Sequence, residues 1–66
     1  MYLFTLLNAK HKPIVQHELR HSQATGQLLD HGLEYNYAQN RLAKARHMPV
    51  TLALDSGNLL TMQKAG

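Results

Sequence analysis

No cysteine occurs in these 66 residues, so the chain must hold any fold together with an apolar core alone. A domain this small buries only about 60% of the surface its unfolded chain exposes, which leaves little apolar surface to spare. The residues are suited to the task, because 44% are hydrophobic and only 17% are charged, a balance that argues against disorder. The expectation is one small domain spanning residues 1–66. The absence of cysteine also excludes C-x-x-C zinc sites and thiol chemistry. Tyr2-Leu3-Phe4, continued by Leu6-Leu7, is the main apolar run near the start. It is far shorter than the roughly 20 residues of a membrane span. No basic segment precedes it and no A-x-A site follows it, so the expected location is cytoplasmic, with no membrane partner.

Prolines and glycines divide the chain into elements. Met1 to Ala9 forms a first short element, helix or strand, that Lys10-His11-Lys12-Pro13 interrupts. Pro13 to His21 reads as a helix with proline in its first turn and Ile14, Val15 and Leu19 on one side. Ser22 opens a further helical segment toward His31, either separate or continuous with the first, with Leu28 and Leu29 inward. Gly32 ends it as a C′ glycine. Asn36 to His47 is the clearest helix: Asn36 caps it, and Ala38, Leu42 and Ala45 make a narrow inward stripe. Asn40, Arg41, Lys44 and His47 face away from that stripe, and Pro49 enforces the stop. Val50 to Gln63 reads as a hairpin closed by a three-residue loop, with Asp55-Ser56 in a type I turn and Gly57 left-handed. That register sets Val50 opposite Met62 and Leu52 opposite Leu60, all on one face. The fold expected is α+β: three short helices followed by a C-terminal β-hairpin.

A charge of +3 permits an acidic partner without requiring one. From Gln27 to Met62, the order of helix, tight turn, basic helix and hairpin resembles the winged-helix form of the helix-turn-helix DNA-binding family. The resemblance is one of architecture. It implies that Asn36–His47 lies in the major groove of double-stranded DNA. Asn36, Gln39 and Asn40 would then meet base edges, with Arg41, Lys44 and Arg46 on phosphates. The function expected is that of a small DNA-binding regulator of transcription or replication. It would act without enzymatic activity or cofactor, as a homodimer that Tyr2, Phe4 or Met62 could join.

A second pattern points elsewhere. His17-Glu18-Leu19-Arg20-His21 is a literal H-E-x-x-H, the motif of the zincin metalloproteases. On a helix, His17 and His21 would share a face as two metal ligands, and Glu18 would serve a metal-bound water. A third ligand would have to come from Asp30, His31 or Glu34, because Ala24 and Gln27 stand where the longer metzincin motif has glycine and histidine. Sixty-six residues leave little room for a protease cleft, so a small non-catalytic metal site is the residue-level alternative. A third possibility is a protein-interaction module anchored by Phe4, Tyr35 and Tyr37, since aromatic side chains concentrate binding energy.

Overall fold

The computed structural model describes all 66 residues, Met1–Gly66. Its elements are β1 (Tyr2–Leu7), β2 (Pro13–Leu19), α1 (His21–Asp30), α2 (Tyr35–Ala45), β3 (Val50–Ala53) and β4 (Leu59–Lys64). The strands form one antiparallel sheet in the order β2-β1-β4-β3. Two hairpins therefore flank a helical pair, and the sheet closes when the first strand pairs with the last. The class is α+β, but the expected three helices are two, and strands occupy both ends of the chain. The expected order of three helices followed by a hairpin is thereby overturned, because the segment from Pro13 to Leu19, meant to supply the first helix, is a strand.

Residues 13–21 depart from their expected helix for local reasons. Ile14 and Val15 are β-branched and suit a strand. Asn8 closes the preceding turn: its Oδ1 accepts from the backbone N–H of Lys10 at 2.9 Å and of Lys12 at 3.0 Å. His11 takes the left-handed conformation at φ 64°, and Asn8 N donates to Lys12 O at 2.9 Å. This geometry returns the chain along β1 and makes β2 an edge strand.

The core lies between the two helices and one face of the sheet. Alternation along the strands directs Tyr2, Phe4, Val50, Leu52, Leu60 and Met62 toward the helices, where all are buried. Helix α1 contributes Ala24 and Leu28, and α2 contributes Ala38, Leu42 and Ala45, the stripe expected from sequence. The opposite sheet face has no covering layer. There Thr5 is flanked by Gln16 and Thr61, which pairs in turn with Thr51, and Gln16 donates to Thr5 at 3.0 Å. Tyr2, Phe4 and Met62, expected to be available for a dimer contact, are instead central to the core at 3%, 4% and 0% exposure.

The C-terminal hairpin has the expected register, Val50 opposite Met62 and Leu52 opposite Leu60. Gly57 N donates to Leu54 O at 3.0 Å, and Gly57 has φ 87°. This is the three-residue closure. Gly32 also takes its expected place. At φ 88° it follows the end of α1, Gly32 N donates to Leu29 O, and Leu33 N donates to Leu28 O, a Schellman motif. Leu33 then packs against the core. Helix α2 begins earlier than expected: Glu34 caps it through bonds from Asn36 N (3.0 Å) and Tyr37 N (3.2 Å), so Asn36 lies inside the helix.

Two glycines separated by six positions should respond in opposite directions to alanine. Gly26 lies within α1 with open space where a Cβ would sit. Gly26→Ala should stabilise the protein by about 0.5–1 kcal/mol. Gly32→Ala must force a Cβ into a left-handed backbone and should cost about 1–2 kcal/mol. Urea denaturation midpoints compared at constant slope will show both signs.

Candidate nucleic-acid interface

Charge is sorted between the two ends of the sheet. At one end Tyr2 is paired with Leu19 on one side and Lys64 on the other. The step from β2 into α1 brings Arg20 and His21 to this end, and the exit from α2 brings Lys44, Arg46 and His47. At the far end lie the 8–12 and 54–58 turns and the connection between the helices. Asp30, Glu34 and Asp55 are there, with Lys10, His11 and Lys12. Of the four acidic residues, only Glu18 lies toward the basic end. Its pairing with Leu3, one position from Phe4 and His17, sets it on the uncovered sheet face.

The basic end is concave. Tyr2, His21, Arg46 and Lys64 line a cleft of about 320 Å³. A second, shallower hollow of about 190 Å³ runs past His47, Pro49 and Gln63 and shares Arg46 and Lys64 with the first. The shared cations make the two hollows one continuous basic groove.

A hydrogen-bond chain fixes the groove wall. Arg46 Nε donates to Tyr2 Oη at 3.0 Å, and Tyr2 Oη lies 3.0 Å from His21 Nδ1. His21 Nε2 lies 2.7 Å from Gln39 Oε1. Gln39 Nε2 donates to Thr25 Oγ1 at 2.8 Å, and Thr25 Oγ1 donates to His21 O at 3.0 Å. Guanidinium N–H can only donate, so the tyrosine hydroxyl accepts from Arg46. Gln39 Oε1 can only accept, so His21 Nε2 carries the proton between them. Each link has one donor and one acceptor, and the chain ties α2 to the start of α1 and to β1.

Tyr2→Phe removes the central hydroxyl and leaves His21 Nδ1 and Arg46 Nε without their partner. The expected loss is about 1–2 kcal/mol in chemical denaturation. The ring ¹⁵N shifts of His21, which distinguish the two tautomers, should change with it.

The residues expected to read DNA do not act as one set. Asn36, Asn40 and Lys44 are exposed and fall on one stripe of α2 at four-residue spacing. Gln39 is committed to His21 and Thr25. Arg41 is half-buried, with its guanidinium 5.3 Å from the centre of the Tyr37 ring and its Nε lacking a partner. Arg46 stands just beyond α2 and gives its Nε to Tyr2 while the side chain remains exposed. Comparison with known protein families, characterised proteins and solved structures finds no match to this chain.

The helical premise of the metal site is not met. His17 is in β2, while His21 is the first residue of α1 and has both ring nitrogens engaged. The motif straddles a strand–helix junction, so its four-residue spacing does not stack the two imidazoles. Nowhere do three potential ligands gather in metal-binding geometry.

Lys64 and Tyr2 line the groove although no sequence pattern assigns them to a DNA-binding surface. Tyr2 and Lys64 lie at opposite ends of the chain, and only the pairing of β1 with β4 unites them.

Proposed function

We propose that this chain is a small regulator that binds double-stranded DNA through its basic end, acting in the cytoplasm without catalysis. The observation that carries the reading is a groove lined by Arg46 and Lys64 at the end of the sheet where Arg20 and Lys44 also lie, with most acidic residues at the far end. Phosphates favour such a surface because each neutralised phosphate releases a condensed counterion. The exposed stripe of Asn36, Asn40 and Lys44 continues from the groove along α2 and offers amide groups to the duplex. No helix is long and apolar enough to cross a membrane.

The test is a fluorescence titration with a labelled duplex at two salt concentrations. Four phosphate contacts imply a log–log salt slope near about −3.6, or a loss on the order of 100-fold between 50 and 200 mM salt. Absence of binding, or binding indifferent to salt, rejects the proposal.

Exposed apolar residues support a second reading, a protein-interaction module. Ile14 and Val15 are 55% and 40% exposed on the unpaired edge of β2, and Tyr35 and Tyr37 are exposed at the start of α2. Phe4, the third aromatic anchor expected from sequence, is buried and unavailable. Sedimentation at increasing protein concentration tests the homodimer, which β2-to-β2 pairing would form. A monomer at every concentration rejects the dimer and leaves DNA binding standing.

A further inference from the structure

Between the edge strand β2 and helix α1 lies a cavity of about 230 Å³ that shares no residue with the basic groove. Its position follows from the fold. Strand β2 is outermost in the sheet, and the two helices cover the inner strands more fully than this edge. Phe4, Leu6, Leu19 and Leu60 give the cavity an apolar lining. The polar groups are the side chains of His17, Gln27 and His31. Pairing with Phe4 sets His17 on the helix-facing side of β2, and His31 arrives from the C-terminal end of α1. Unlike His21, neither histidine bonds to another side chain of the protein, and no carboxylate lines the space.

We infer that this cavity binds a small aromatic monocarboxylate. An apolar cavity of about 150 Å³ is large enough to hold benzene. The larger volume here accepts one ring with an acid group attached. The ring lies against Phe4, Leu19 and Leu60, burying apolar surface on both sides. The carboxylate, which only accepts, meets two imidazoles and an amide that can all donate N–H groups. Few convergent polar groups in an apolar lining is the usual composition of a small-molecule site. This inference is independent of DNA binding.

The experiment is a titration of ¹⁵N-labelled protein with benzoate and, separately, with benzyl alcohol, its neutral counterpart. Benzoate should shift the amides of Leu6, His17, Leu19, Gln27 and His31, and should bind about tenfold more tightly than the alcohol. His17→Ala and His31→Ala should each weaken benzoate about five- to tenfold and leave the alcohol unaffected. Both histidines are exposed, so the variants should keep the wild-type spectrum elsewhere. Equal affinity for acid and alcohol overturns the inference. So does a benzoate response confined to Arg46 and Lys64, or no response to millimolar benzoate.

Discussion

Leu42→Ala is expected to lower the melting temperature by roughly 10–30 °C. Leu42 is fully buried, and the other residues that α2 buries are Ala38 and Ala45. Those alanines let the helix approach the sheet closely. They also mean that no large neighbour on α2 can swing into the space that Leu42 would vacate. A buried leucine truncated to alanine costs about 2–5 kcal/mol, toward the upper end when the site cannot collapse. A domain of this length has only about 3–10 kcal/mol of total stability. The substitution therefore removes most of what holds the fold, and without disulfides nothing else restrains the unfolded chain. Leu29→Ala is the matched comparison. Leu29 is 43% exposed on α1, and its loss should move stability by no more than about 0.5 kcal/mol. A calorimetric scan showing similar melting temperatures for the two variants would mean that α2 does not carry the core as described.

The parts of this fold that sequence reveals are those where burial imposes a period. Ala38, Leu42 and Ala45 recur at helical spacing because one side of α2 faces the core. Val50, Leu52, Leu60 and Met62 alternate because one side of the C-terminal hairpin does. Strand β2 carries no such signal. From Pro13 to Glu18 every residue is exposed, so apolar and polar residues are not selected in alternation, and Pro13 with H-E-x-x-H imitates the start of a helix. The same illusion produced the metal reading, since its spacing argument holds only on a helix. The helix cap is hidden for a related reason: a glutamate ranks below asparagine as a cap by residue type, yet Glu34 is the side chain that reaches the free amides. At the basic end, the contribution of the 44–47 segment is legible, and that of Arg20 and Lys64 is not. Those two join it through strand pairings that no local pattern encodes.

Reversing two cations at the basic end should nearly abolish duplex binding, while reversing two at the far end should not. Lys44→Glu with Lys64→Glu takes the formal charge from +3 to −1, because each reversal lowers it by two. Lys10→Glu with Lys12→Glu makes the same change in net charge at the 8–12 turn. All four lysines are exposed, so both variants should fold, as far-ultraviolet circular dichroism will confirm. If phosphates sit at the groove, losing two contacts flattens the salt slope by about 1.8, and the new carboxylates add repulsion at short range. The expected loss of affinity at low salt is then on the order of 100-fold. The far end lies the length of β1 and a turn away, on the order of 20 Å, or about two Debye lengths at 0.1 M salt, and screening reduces the loss there to a few-fold with the slope unchanged. The pair of variants separates two explanations that a single titration cannot. Equal losses would show that DNA responds to total charge, and the groove would lose its claim as the interface. A loss confined to the basic end ties binding to the surface that the meeting of β1 with β4 creates.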